Sequence, residues 1–224
     1  LGAHLDHLGR RGDELYLGAE DNASGVAVVL EIAAHLVRHQ NELDRSVLVV
    51  LFGAEEKGLL GAKHFVAEPP VTPLVAMVNI DMIGRPLVDM GVIAAVKVLA
   101  GVDDRRAVGV LGTAGRPQLE RLVEQACRAE VIEPWAPDDL PGRVARLVER
   151  ASRDRGDSFP FEAAGVPALF FGQGESDDYH QPSDTADKLD AEGMAARARA
   201  IARVVLGLSQ SALLVEERPA RGDP

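Results

Sequence analysis

The sequence predicts an α/β protein in three layers, with helices on both faces of a mostly parallel, mixed central sheet. Three observations carry that expectation. Apolar runs of strand length alternate with stretches of helical periodicity, the order of a parallel sheet with crossover helices. The 224 residues are 46% hydrophobic and 26% charged, a globular balance large enough to bury one core without covalent staples. Acids or a His stand just after three of the apolar runs, and ligand sites of such sheets lie outside the carboxyl ends of the strands.

The elements follow in chain order. The chain opens on Leu1-Gly-Ala-His4-Leu-Asp6-His7, and a polar loop leads to Gly18-Ala-Glu-Asp21-Asn-Ala-Ser24-Gly25. Between residues 24 and 39, Val26, Val29, Leu30, Ala33, Leu36 and Val37 recur at helical spacing, with Ser24 or Asn22 as N-cap. Residues 46–52 form a β-branched run suited to a strand buried on both faces. It ends in Gly53-Ala54-Glu55-Glu56-Lys57-Gly58, and a short helix over 59–66 is stopped by Pro69-Pro70. A strand over 75–80 is closed by Asp81, and 92–99 and 107–111 read as two more strands. Gly115-Arg-Pro117 opens a helix to residue 129, 134–141 reads as a loop, and 143–153 is charged and weakly helical. A short helix over 159–164 leads into a strand over 166–171 and a polar loop over 172–187. Asp190 caps the last helix, in which 194–215 is amphipathic with Arg197, Arg199 and Arg203 on its polar face. We expect one domain over 1–215 and a frayed, charged tail over 216–224.

Composition excludes several function classes. Lys and Arg number 24 against 35 Asp and Glu, a formal net charge of −11, which argues against nucleic acid as a partner. Cys127 is the single cysteine, so an internal disulfide and a cysteine-based zinc ribbon are both impossible. No apolar run approaches the ~20 residues of a membrane span. The chain begins with Leu1 rather than Met and reads as an excised piece.

The acids and histidines at the strand ends point to a metal. Adjacent carboxylates such as Glu55 and Glu56 on a buried rim would repel, and a bound cation removes that conflict. His4, Asp21, Glu56, Asp81 and His180 form the candidate ligand set, and two imidazoles with three carboxylates suit zinc. Five donors exceed one tetrahedral ion but fit two divalent ions sharing a bridging carboxylate, a pair that generates a nucleophile from water. Glu55, left over, is placed to act as general base and proton shuttle. Other signals carry less. His35 and His39 lack the His-Glu-x-x-His pattern because Leu36 follows His35. Arg-Gly-Asp begins at Arg11, Arg155 and Arg221, each time in a generic polar turn or tail.

Five ordered blocks, Ala3-His4-Leu-Asp6-His7, Gly18-Ala-Glu-Asp21-Asn-Ala-Ser-Gly25, Gly53-Ala-Glu55-Glu56-Lys-Gly-Leu-Leu-Gly61, Asn79-Ile-Asp81-Met-Ile-Gly84 and Asp177-Asp-Tyr179-His180-Gln-Pro-Ser-Asp184-Thr, span almost the whole chain. Their order and content resemble the co-catalytic zinc exopeptidases of metallopeptidase family twenty-eight, the bacterial leucyl-type aminopeptidases. The resemblance implies a zinc-exopeptidase-like fold whose N-terminal part, about two strands and a helix, is absent here. It implies two zinc ions or other divalent metals, with Asp21 bridging and followed by a cis peptide. It also implies His4 on one ion steadied by Asp6, Glu55 as base, Glu56 and Asp81 on different ions, and His180 on either. Tyr179 matches a tyrosine that steadies the tetrahedral oxyanion in some members. The activity implied is removal of the N-terminal residue from peptides with a free N-terminus through a metal-bridging hydroxide, in a secreted or periplasmic protein. Phe159 and Phe161 are expected to wall an aliphatic specificity pocket. A glutaminyl-cyclase-like acyltransferase, a carboxypeptidase of the same fold and a non-catalytic binding module are the alternatives. The segment Gly156-Asp157-Ser158-Phe159-Pro160-Phe161 departs from the family's Ser-Asp-His by placing Ser158 at the His position.

Overall fold

The computed structural model describes residues 1–87, 104–136 and 155–210. Six strands form one sheet in the order β4-β1-β5-β8-β6-β7. They are β1 (Gly2–His4), β4 (Val50–Phe52), β5 (Met77–Ile80), β6 (Ala107–Leu111), β7 (Glu133–Trp135) and β8 (Ala168–Gly172). β4, β1, β5 and β8 run parallel, β6 is antiparallel to β8, and β7 is parallel to β6. The expected mixed, mostly parallel sheet is therefore present. The helices are α1 (Gly25–Arg38), α2 (Leu60–Ala67), α3 (Pro117–Ala129), α4 (Ser158–Ala163) and α5 (Ala191–Gln210).

The larger core joins α1, α3 and α5 to the sheet through Val29, Ile32, Ile80, Val108, Val123, Leu169, Phe171, Ile201 and Val204, all buried. A smaller core gathers Phe52, Ala62, Met77, Phe161 and Ala168 around α2 and α4. Nonpolar burial on this scale is the main favourable term in folding, at roughly 25 cal/mol per Å² removed from water. Asp190 Oδ1 accepts from the Gly193 amide at 3.0 Å and caps α5. Asn22 rather than Ser24 supplies the side-chain bond at the start of α1, its Oδ1 accepting from the Gly25 amide at 3.0 Å.

Several expectations are corrected. β1 is an inner strand between β4 and β5, although Gly-Ala-His carries no β-branched residue that would announce it. The polar loop after His7 contains a hairpin of β2 (Gly9–Arg11) and β3 (Glu14–Tyr16), whose exposed residues show no apolar alternation. The run over 46–52 shrinks to β4, which is outermost among the described strands, with Leu48 39% and Val49 37% exposed rather than buried on both faces. Glu133–Trp135, expected to enter a loop, adds the strand β7 beside β6. Arg197 is not on the polar face of α5. It is buried and donates to the carbonyls of Ala107, Ile83 and Arg105 at 3.1, 3.2 and 3.0 Å, while Arg199 and Arg203 stay exposed on Glu130. The strand expected over 92–99, the helix over 143–153 and the tail over 216–224 lie outside the described residues.

Candidate metal centre

The carboxyl ends of β1, β4, β5 and β8 open on the same side of the sheet. Their loops meet the turn that enters α1, and there the five sequence-selected donors come together. His4 Nε2 lies 3.3 Å from Asp21 Oδ1 and 3.2 Å from Asp81 Oδ1. His180 Nε2 lies 3.2 Å from Asp21 Oδ2 and 3.0 Å from Glu56 Oε2. The two oxygens of Asp21 thus face two separate groups, one made with His4 and Asp81 and the other with Glu56 and His180. His180 stands beside Glu56. Ligand atoms at ~2.0–2.1 Å from a tetrahedral ion lie about 3.3 Å from one another, and the contacts of His4 and His180 with their carboxylates have that spacing; His4, Asp21 and Asp81, and likewise His7, Asp21 and Glu56, bring ligand atoms within 4.8 Å of one another.

His7 is a further imidazole beside the second group. Its Nδ1 is 3.0 Å from Glu56 Oε1 and 3.6 Å from Asp21 Oδ2, and its ring meets His180 edge-on at 5.7 Å between centroids. The available signal was its place in the same His-x-Asp-His string as His4. Both His7 ring nitrogens, Glu56 Oε1 and His180 Nε2 are buried without a hydrogen-bond partner. Orphaned polar atoms of this kind are rare in a satisfied interior, and a cation among them would satisfy them. Burial alone would strip charge from His4. Asp81, with hydrogen bonds to Asp21 and Asp81, overrides that and pushes its pKa up to about 12. The imidazole is drawn to hold positive charge where a cation fits.

Local structure sets each donor. The peptide between Asp21 and Asn22 is cis, as the resemblance implies. Gly18 has φ +64, and a Cβ there would strike the Asp21 carbonyl and the His7 ring, so only glycine suits the approach to that turn. Ala54, Met82 and His180 also adopt left-handed backbone, at φ 57, 56 and 55, each at or beside a donor. Asp6 meets His4 Nδ1 with its backbone carbonyl at 3.1 Å and, at 3.9 Å, with its carboxylate. That carboxylate also accepts from the amides of Glu55 at 3.0 Å and Glu56 at 3.4 Å. Asp6 therefore aims the loop that carries both glutamates.

Three residues without an assigned role tie the donor loops together. The Glu20 carboxylate accepts from the Gly84 amide at 2.9 Å and the Arg85 amide at 3.2 Å. The Asp184 carboxylate accepts from the amides of Glu20 at 3.0 Å and Asp21 at 3.1 Å. Arg85 donates to Asp178 at 2.7 Å and Asp184 at 3.2 Å. The turn of Asp21, the loop of Asp81 and the loop of His180 are thereby linked in a closed triangle of hydrogen bonds.

Glu55 shares a cavity of about 110 Å³ with His4, Asp21 and Asp81, walled by Met82, Phe170, Gly174 and Tyr179 and bordered by Arg155 and Glu175. Burial pushes its carboxyl up to about 8, with Asp81 adding, His4 opposing and Asp157 adding again. Asp157 is fully buried with both oxygens unpartnered, and burial pushes it up to about 7. Burial and Asp21 likewise raise the phenol of Tyr179, which keeps its proton at neutral pH. The expected walls are corrected. Phe161 packs on Phe52 and Phe65 in the smaller core, and the cavity is lined by Phe170 and Met82 rather than by Phe159 and Phe161. Among the described residues no helix is long and apolar enough to cross a membrane.

Comparison with known proteins gives concordant findings. The model of Peptidase family M28 matches residues 1–205. A probable leucine aminopeptidase 2 of Aspergillus fumigatus is 27% identical over 234 aligned residues, covering 94% of this chain and 41% of the fungal protein. The aminopeptidase from Aneurinibacillus sp. strain AM-1 superposes with TM-score 0.63 at 25% identity, covering 98% of this chain and 45% of that one. LapA of Legionella superposes with TM-score 0.70 at 20% identity, covering 94% and 52%. A glutaminyl cyclase of Porphyromonas gingivalis shares the fold at TM-score 0.60 and 18% identity, covering 91% and 70%. The chain thus spans about two fifths of that fungal relative and about half of the two bacterial structures.

Proposed function

This chain belongs to Peptidase family M28, and from that premise we propose that it carries the catalytic site of a zinc-dependent aminopeptidase. The observation that supports this most is Asp21, whose two oxygens face two donor groups while Glu55 lines the same cavity. In this reading His4, Asp21 and Asp81 hold one zinc ion and Asp21, Glu56 and His180 the other, with His7 against the second group. Bound zinc would polarise the scissile carbonyl and acidify the attacking water. The chain's own residues do the rest. Glu55 takes the proton from the water and hands it to the leaving amine, both within the one cavity it lines. Asp6 keeps Glu55 and Glu56 in register through their amides. Tyr179 donates a hydrogen bond to the oxyanion. Met82 and Phe170 give the first substrate side chain an apolar surface, and the surrounding carboxylates favour a free α-ammonium, so peptides with a free N-terminus are the substrate class.

The test is metal content together with hydrolysis of a chromogenic leucyl amide. We expect two zinc ions per chain and activity that a chelator abolishes and zinc restores. One ion per chain with cyclisation of N-terminal glutamine would favour the acyltransferase chemistry, and no bound ion would reduce the site to a binding module. Either result overturns this reading.

A further inference from the structure

The Arg155-Gly156-Asp157 triplet supplies none of the proposed metal ligands, yet Arg155 reaches the rim of their cavity. Arg155 Nη1 pairs with Glu175 Oε1 at 2.5 Å, and Nη2 donates to the Tyr179 hydroxyl at 3.3 Å. The Tyr179 ring lies face to face with the ring of His180, centroids 3.9 Å apart and planes inclined by 19°. Gly156 has a packing reason, because a Cβ there would press on the Phe170 ring that walls the cavity.

The chemistry of this contact is one-directional. A guanidinium has five N–H donors and no acceptor, so in the bond with Arg155 the phenol oxygen accepts. Arg155 is the hydroxyl's hydrogen-bond partner among the described residues, and among them the phenolic proton has no acceptor. A phenol keeps that proton near neutral pH. The hydroxyl thus has one side anchored to a cation and one donor unspent, in the cavity that also holds Glu55 and Asp21. Stability does not account for the arrangement, since the Arg155 side chain is 50% exposed and such ion pairs contribute little.

We propose that Arg155, steadied by Glu175, is a positioning residue that holds the Tyr179 hydroxyl as the hydrogen-bond donor to the oxyanion formed during peptide hydrolysis. The cation fixes the hydroxyl's acceptor side, so the proton is already oriented when negative charge develops, and it makes the phenol a stronger donor. This rests on the aminopeptidase reading. Arg155 acts through Tyr179 and touches no reacting atom.

The experiment is a double-mutant cycle on the zinc-loaded protein with leucine p-nitroanilide, using Arg155→Gln, Arg155→Lys, Tyr179→Phe and Arg155→Gln combined with Tyr179→Phe. We expect Tyr179→Phe to lower kcat by roughly 100- to 1,000-fold, the scale of a lost oxyanion donor, and Arg155→Gln to lower it by a smaller factor, each with KM within about twofold. The double variant should be no slower than Tyr179→Phe, and Arg155→Lys should recover part of the loss. In calorimetry, the tetrahedral analogue leucine phosphonic acid should bind Arg155→Gln more weakly by the factor lost in kcat/KM, while leucine binds as to wild type. Additive losses, a KM effect alone, or equal weakening of phosphonate and leucine would overturn the proposal and leave the aminopeptidase reading standing. A zinc-loaded wild type inactive on aminoacyl amides would overturn both.

Discussion

Glu55 and Glu56 are neighbours in the chain, yet the structure separates their surroundings. Glu56 faces His7 and His180, whereas Glu55 lines the cavity against Asp81 and His4 with its carboxyl pushed up to about 8. The division follows from the tight turn between Ala54 and Gly58, which sends successive side chains in different directions. Glu55→Gln keeps the shape and removes the base. We expect kcat to fall by about 10³-fold with zinc content unchanged, the scale of general-base catalysis. A variant of full activity would show that another group takes the proton. The identities of Glu55, Glu56, Asp21 and Asp81 as chemistry-bearing residues were legible because each follows an apolar run or a glycine turn. The burial of His7 against Glu56 was not, because a second histidine three residues after the first has no periodic signature that tells a buried imidazole from a surface one.

At the scale of elements, the helices are held by contacts that the sequence only half discloses. Glu130, just past α3, receives Arg199 Nε and Arg203 Nε of α5, each at 2.7 Å. These bonds, with Arg199 first, hold its carboxyl below the ordinary value of 4.5. The native state therefore releases this proton more readily than the unfolded chain. Its contribution is present above about pH 4.5 and lost as pH falls through the depressed native value. Both arginines are largely exposed, so Glu130→Gln should cost only about 0.5–1 kcal/mol at pH 7. Urea melts at pH 7 and pH 3 would check this. The gap between wild type and variant should close in acid, and a gap independent of pH would assign it to packing instead. The helices α1, α3 and α5 were readable from apolar spacing and from the Pro117 and Asp190 signals. β1, β2, β3 and β7 were not, because strands of three residues are too short to show alternation and take their conformation from the neighbours they pair with.

For the whole molecule, the metal centre and the fold depend on each other. The donors come from five separate stretches of chain, so an unfolded chain offers no comparable site, and zinc bound to the native state alone stabilises it by mass action. At a free zinc concentration a thousand times Kd the gain is about 4 kcal/mol, or roughly 10 °C in Tm for a chain of this size. Thermal melts in chelator and after zinc is restored should show that reversible shift. An unchanged Tm would mean that the carboxylates are satisfied without a cation. The hydrogen-bond triangle of Glu20, Arg85 and Asp184 belongs to this scale too, since it joins loops from opposite ends of the chain.

The sequence by itself determined the layered α/β class, the ordered motif blocks and the candidate set of five donors with one glutamate to spare. These are written locally, as periodicity, punctuation and residue type. Only the tertiary structure decided that β4 is outermost among the described strands, that Arg197 is buried, that His180 stands with Glu56, and that Arg155 reaches Tyr179. Each of those depends on which distant segments come within a few ångströms, and a contact between residues far apart in the chain leaves no mark in the spacing of either one.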